Sequence, residues 1–463
     1  MIKRGILGVS TIVVAIFLLS YPAFRGPRVN NYASARQLPS LAFAAASAPA
    51  MNATPASISG GGSEAPGKPR TDAAGSESNG HAAAPLCTGI PITEVPKNVT
   101  GEFSQVAAGV TITQVTNDSG HNWNSHSDLP AFSSLTNALV FNHGNNPAQV
   151  AVADLDGTHA QVISGSHQAT AIRVSSDGKF AFYQGQNPNQ GADIYAVPLS
   201  QPGNCKEIRL SQLNMRFVPP VGALIITTSS VDPTSGKNEI LFSEGNILHR
   251  VLDDGTVLPD LTLGDPENGN AFHRIGRNPN FPDVLWYKRD RPAPDPGGVA
   301  EPEIWVVNLK SPGKVYNLMA NTPVDHPAWS PDGTRLGFIT NRGKWHVADV
   351  LKPDGSFSLN SEGNFKITEV GPSYASGLSV NFCTYAPDGS VFVCSQRNNA
   401  IYLMSLDGTK SKLLVNPESS PTGAVYNAIP KPRFLDMEHI VFSSDRTGLA
   451  QVYVISGFTT TFP

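Results

Sequence analysis

Apolar residues fall along this chain in short runs cut by Gly, Pro, Asp and Asn, without the spacing of an amphipathic helix. The clearest stretch runs from Val324 to Thr340. Trp329 closes one run, Leu336 and Phe338 hold alternate positions in the next, and Pro331-Asp332-Gly333 lies between them. Pro331 presets φ for a turn, Asp332 can bond its own backbone, and Gly333 tolerates positive φ. The pattern predicts a strand, a tight turn and a second strand.

Weaker copies of this hairpin recur on both sides at a spacing of about 40–55 residues, the period of a propeller or solenoid. One has Ile172-Arg173-Val174 and Phe180-Ala181-Phe182 around Asp177-Gly178; another has Tyr385-Ala386-Pro387-Asp388-Gly389 ahead of Val391-Phe392-Val393. The last unit, from Phe434 to Ile455, stops after three strands. Val110 to Thr116 is a β-branched strand standing alone before the first unit. This arrangement predicts ring closure, with the N-terminal strand completing the last blade and only short, protected edges left. The expected fold class is all-β, a seven-bladed β-propeller over residues 87–463. The blurred third unit, Ala223 to Val251, leaves six or eight blades open.

Composition adds compartment and partner class. At 463 residues, 40% hydrophobic and 15% charged, the chain can bury a large core. A net charge of -4 and the lack of a long basic run argue against nucleic acid as a partner. Lys3 and Arg4 precede an apolar run to about Phe24, the pattern of an export signal. A run of about 20 residues also suffices to span a bilayer. Residues 1–26 are therefore read as a signal peptide or a signal anchor. The lack of a good small-x-small site just behind the run leans towards the anchor. Residues 27–86 are dominated by Ala, Ser, Gly and Pro and cannot offset chain entropy by burial, so they are expected to form a disordered linker. The propeller is then expected outside the cytoplasm, in the periplasm or at the cell surface. It is secreted, or held to the membrane if the N-terminal segment stays uncleaved.

Four cysteines fit export. Cys383 and Cys394 flank Pro387-Asp388-Gly389 symmetrically, so a two-residue loop sets them opposite each other, whereas a bulge at Gly389 would shift the register. A cross-strand disulfide there would leave Cys87 and Cys205 to pair by elimination. Four buried thiols is the alternative. No Cys-x-x-Cys occurs, which removes a zinc-ribbon reading.

The candidate chemistry is carried by histidines and cations. His273 and His326 each lie three residues before a first-strand marker position, held by Gly276 and Trp329, and Lys431 lies three before Phe434. They are expected at one level of adjacent blades near the mouth of the central channel. A base, a second histidine and a cation converging there suit proton abstraction beside a carboxylate, with Arg274 or Lys431 neutralising charge. The bland alternative is a set of polar residues lining a wet channel. A second stretch, His121 to Asp128 with His143, allows a saccharide or metal site in which Trp123 stacks on a pyranose ring and His126 contacts it. A polar entry loop explains it equally. There is no Gly-x-Ser-x-Gly elbow, P-loop or dinucleotide fingerprint.

The repeats with Trp329-Ser330-Pro331-Asp332-Gly333 and Tyr385-Ala386-Pro387-Asp388-Gly389 resemble those of the TolB family of propellers. A narrower likeness is to the oligogalacturonate lyases, seven-bladed propellers that cleave uronate oligosaccharides by β-elimination. It rests on His273 with Asn278 to Leu285 and Glu303-Ile304-Trp305, and on Phe442 to Tyr453. The resemblance implies a base at His273 and a manganese ligand at His326. It places further metal ligands in a stretch that here reads Asn427-Ala428-Ile429-Pro430-Lys431-Pro432, with Ile429 and Lys431 where the family has histidines. Neither side chain can replace a neutral imidazole at a divalent cation. No cofactor is therefore expected, and a divalent cation such as Mn²⁺ has an incomplete ligand set. Two functions remain: an exported binding module for a saccharide or a protein partner, and a divergent uronate lyase acting in the channel.

Overall fold

A computed structural model of the chain describes residues 84–92, 96–117, 119–124, 131–144, 148–165, 168–187, 191–210, 227–231, 235–244, 247–263, 272–291, 301–320, 322–340, 343–371, 380–396, 400–420 and 429–462. The predicted signal segment and nearly all of the predicted linker lie outside these residues. Among them the structure is all-β, with seven antiparallel sheets and one short 3-10 turn at Thr100–Glu102.

Each sheet is a blade, and in blades 2 to 6 the innermost strand comes first in sequence. Blade 2 begins with Gln168–Val174, blade 3 with Thr227–Val231 and blade 4 with Phe272–Arg277. Blade 5 begins with Val324–Trp329, blade 6 with Val380–Tyr385 and blade 7 with Arg433–Phe434. Blade 1 starts from the short strand Asn122–Asn124. Ring closure follows the expectation: Thr111–Gln114 pairs with Gln451–Ser456, the third strand of blade 7, so the two ends of the propeller share one sheet.

Seven apolar cores alternate with the seven blades, one in each gap, including the gap between blades 7 and 1 that holds Val441, Val452, Leu139 and Phe141. A blade's central strands are therefore buried on both faces. Val391–Gln396 and Ile440–Ser444 are buried at every position. This is why those strands read as continuous apolar runs and not as apolar–polar alternation.

The turn chemistry is as the residues require. At the hairpin of blade 5, Gly333 has φ 71°, and the Asp332 carboxylate accepts from Ser330 Oγ at 2.5 Å and Thr334 N–H at 3.0 Å. Gly178 and Gly389 adopt the same left-handed conformation in the equivalent turns. No bulge displaces the second of these: Cys383 faces Cys394 in register and the two form a disulfide, as do Cys87 and Cys205.

The leading segment makes a belt that the apolar pattern does not announce. Ile90–Pro91 adds an outer strand to blade 1, and Cys87 and Thr88 bond the backbone of blade 2 at Leu199 and Gly203 beside the Cys87–Cys205 disulfide. Lys97–Asn98 then joins blade 7, and Gln105 and Ala107 bond the outer strand of blade 6. Arg446 ties this second half down, with Nη1 3.1 Å from the Glu102 carboxylate and its guanidinium 4.4 Å from the Phe103 ring centre. Two-residue strands are too short to carry a hydrophobic period, so only backbone pairing reveals them.

Candidate functional site

The inner strands line up by one recurrent hydrogen bond. The residue just past each strand donates its N–H to the start of the next one: Ser175 to Phe180, Asn278 to Val284, Ser330 to Arg335, Ala386 to Val391 and Leu435 to His439. Counting back four positions places Ala171, Arg274, His326, Phe382 and Lys431 on one level. The expected equivalence of His326 and Lys431 holds. His273 is displaced from it by one residue: Arg274, not His273, matches His326, and His273 matches Asp325. The cause is the marker: Gly276 stands two residues before Asn278, whereas Trp329 and Phe434 stand one before Ser330 and Leu435. Register slips between Phe272 and Arg274 in blade 4, between Asp325 and Ala328 in blade 5, and between Val380 and Phe382 in blade 6. The bulged strand carries an extra residue, which re-aims side chains at this level. His326 itself takes φ 51°, as does Ala171 at the equivalent place.

At this level charges gather around Asp325. Lys288 Nζ lies 2.8 Å from Asp325 Oδ2, His326 Nε2 lies 3.9 Å from it, and the His326 N–H donates to Oδ1 at 2.7 Å. Burial pushes the Asp325 carboxyl up, but the charges of His326, Lys288 and Arg274 outweigh it and hold the group well below the ordinary carboxylate range. Its side chain keeps 28% exposure all the same. A group on a channel wall can be touched by water and still be ringed by protein. The His326 ring packs against Phe382 of blade 6, with centres 4.1 Å apart.

Lys431 shares the level but is buried, and its carbonyl accepts from Asn124 Nδ2 at 3.0 Å. His273 lies on the inner strand of blade 4, but its side chain, together with the whole of Asn427 and His126, is outside the described residues. Trp123 sits apart, half-buried on the inner strand of blade 1 between the buried Asn122 and Asn124. Those asparagines build the seam with blade 7. Asn124 N–H donates to Ser443 Oγ at 2.9 Å, and Asn122 Nδ2 to Gln451 Oε1 at 3.1 Å. The neighbouring histidines serve the same seam: His121 Nδ1 accepts from Ala450 N–H at 3.1 Å, and His143 Nδ1 lies 2.7 Å from Asn122 Oδ1. Trp123 is thus placed by a structural network at the seam of blades 1 and 7.

Among the described residues of this level a divalent cation finds no set of ligands. Two cations, Lys288 and Arg274, stand with His326 around the Asp325 carboxylate, and Lys431 holds the equivalent position in blade 7. Among the described residues no three His, Cys, Asp or Glu side chains come together.

Two positions nearer the turns lies a second level that sequence reading missed: Arg173, Gly276, Ala328, Thr384 and Arg433. All five line one cavity of about 340 Å³, and five blades can share a cavity only at the axis. Gly276, Ala328 and Thr384 are too small to fill the space, and two arginines border the rest. Trp286, Trp329, Tyr385 and Phe434 add aromatic rings to the wall.

No protein-family model matches the chain, and no curated protein matches it. Solved structures do. An oligogalacturonate lyase from Vibrio parahaemolyticus aligns at TM-score 0.54 and 14% identity over 80% of this chain and 98% of its own. An oligogalacturonate lyase in complex with manganese aligns at 0.55 and 15%, over 81% and 99%. The Cps50 (Swd1) β-propeller domain of Myceliophteria thermophila aligns at 0.50 and 13%, over 74% and 99%. At such identities the likeness speaks for the fold, which is that of a seven-bladed propeller.

Proposed function

We propose that this protein is an extracytoplasmic binding module that takes an acidic saccharide at the bulged level of its channel. One observation carries the reading: Arg274, Lys288 and His326 converge around Asp325 on the inner and second strands of blades 4 and 5. Ammonium and guanidinium groups suit a uronate carboxylate, and the aspartate and imidazole suit its hydroxyls. Two disulfides in so large a core support an oxidising compartment, in keeping with the export pattern at the N-terminus.

Catalysis is the second reading, favoured by the likeness in fold to two oligogalacturonate lyases. In it His273 abstracts the proton beside the carboxylate while Arg274 stabilises the developing charge, and no step runs through a metal. One experiment separates the readings. The full-length protein is titrated calorimetrically with a panel of uronate oligosaccharides, with and without Mn²⁺, while ultraviolet absorbance follows the conjugated double bond that β-elimination leaves. Binding that Arg274→Gln weakens, with a flat absorbance trace, supports the binding module. Rising absorbance that His273→Ala abolishes establishes a lyase. Neither heat nor absorbance across the panel removes the saccharide and points to a protein partner.

A further inference from the structure

The two disulfides of this molecule stand in opposite surroundings. We propose that Cys87–Cys205 is a reducible clasp on the first half of the belt, opened by a dithiol while the propeller stays folded. The inference is independent of what the channel binds.

Access separates the two bonds. Cys383 and Cys394 face each other on the inner and second strands of blade 6, 1% and 0% exposed, in the apolar core shared with blade 5. Cys205 is only half-buried. It sits in the loop that leads to the outer strand of blade 2, Ile208–Arg209, and its neighbours Gln201 to Asn204 and Lys206 are all exposed. A reducing thiolate has to reach one of the two sulfurs, and exposed disulfides are the labile, regulatory ones. Cys205 is the side from which it can approach.

The chemistry is thiol–disulfide exchange. The thiolate of an external dithiol attacks Cys205 Sγ, the bond to Cys87 breaks, and Cys87 leaves as a thiolate that takes up a proton. The second thiol of the reductant then displaces Cys205 from the mixed disulfide. The dithiol ends oxidised to its own disulfide, and its two electrons reside in the Cys87 and Cys205 thiols.

What the bond holds is a lightly attached segment. Residues 84–92 donate backbone hydrogen bonds from Ala84 to Leu135, Cys87 to Leu199, Thr88 to Gly203 and Ile92 to Ala160. Their strand, Ile90–Pro91, is two residues long, and Ile90 is 68% exposed. Cys87 is the one residue among them that is fully buried. A segment with so few buried apolar contacts opens locally at low cost once its covalent tie is cut. Opening bares the outer edge of blade 1 at Gln161–Val162 and the rim of the core between blades 1 and 2, against which Leu86 and Cys87 pack. Release ends before Lys97–Asn98, where pairing with blade 7 and the Arg446–Glu102 ion pair hold the second half.

The test is a timed reduction of the full-length protein with dithiothreitol under native conditions. Free thiols are alkylated with iodoacetamide and located by peptide mass spectrometry, and amide hydrogen exchange is followed in parallel. Cys87 and Cys205 should be labelled about tenfold or more faster than Cys383 and Cys394. Labelling of Cys87 reads release of the belt directly, because that side chain is 1% exposed while the belt is in place. Exchange over residues 84–92 should quicken about tenfold or more, while Val391–Gln396 and Ile440–Ser444 keep their protection. Reoxidation should restore the slow exchange. Cys87→Ser combined with Cys205→Ser should show the fast exchange without reductant, and the wild-type time course decides the matter if that variant fails to fold. The proposal is overturned if Cys205 resists the dithiol or if all four cysteines are labelled at one rate. It is equally overturned if Cys205 is labelled while Cys87 stays shielded, or if the central strands lose protection together with residues 84–92.

Discussion

Gly276 offers a sharp test of how the channel wall is built. It stands opposite Trp286 on the neighbouring strand, and a Cβ at this position would lie 2.2 Å from Cε2, 2.3 Å from Nε1 and 2.4 Å from Cζ2 of the indole. Carbon atoms in ordinary contact are about 3.5–4.0 Å apart, so the ring would have to retreat by more than ~1 Å. Trp286 is 1% exposed and packs with Val324, Leu336 and Phe338 in the core between blades 4 and 5, so moving it disturbs that packing even though it also borders the cavity beside Gly276. Overpacking of this kind costs about 1–3 kcal/mol. At a urea slope of about 3 kcal/mol/M, a loss near 2 kcal/mol lowers the unfolding midpoint by roughly 0.7 M. Gly313 serves as the control, since nothing lies within 4 Å of its added Cβ and its φ is not left-handed. Gly313→Ala should hold stability or raise it by up to about 1 kcal/mol through the unfolded chain, a midpoint shift of at most roughly 0.3 M. The assay is urea unfolding of both variants followed by tryptophan fluorescence. A Gly276→Ala midpoint equal to wild type, or moving with that of Gly313→Ala, would refute the reasoning.

Other expectations follow from the same contacts. Asp325 is held below its unfolded value near 3.9, so its contribution is complete above that pH and is lost as pH falls towards the folded value. Wild type should therefore lose stability more steeply than Asp325→Asn below about pH 4, and parallel slopes of urea midpoint against pH would count against the cluster. The Cys87–Cys205 disulfide closes 118 residues and Cys383–Cys394 only 11. By chain entropy, paired Cys→Ala changes should cost about 5 and about 3 kcal/mol respectively, and the reverse order in urea midpoints would contradict this. Arg446→Ala should cost about 1–3 kcal/mol from its charged hydrogen bonds and its place over Phe103. It should also hasten limited proteolysis between residues 97 and 107, and cleavage at the wild-type rate would mean that Arg446 does not secure the belt.

What the sequence determined by itself was local or countable. Pro331-Asp332-Gly333 and its copies announce tight turns because side chain and backbone solve the turn within a few residues. Blade number and closure follow from counting units and noticing that the last lacks the strand the first has in excess. The symmetric placing of Cys383 and Cys394 about a turn needed only a regular register to become a disulfide.

The site was legible only in part. From their spacing His326 and Lys431 are expected at one level and share it, but His273 is expected there too, and Arg274 holds that place in its stead. Blade 4 has Arg277 where blades 5 and 7 have Trp329 and Phe434, so no aromatic marks the position to count from. Lys288, on a second strand, meets Asp325 of the next blade only because blades pack face to face. The void between Arg173 and Arg433 has a similar origin. Gly276, Ala328 and Thr384 are unremarkable in their own strands, and a cavity exists only when five blades bring their smallest and most cationic inner positions to one level of the axis. Turns and strands arise from neighbours in the chain, whereas the channel is the sum of residues some 260 positions apart that only closure of the ring brings together.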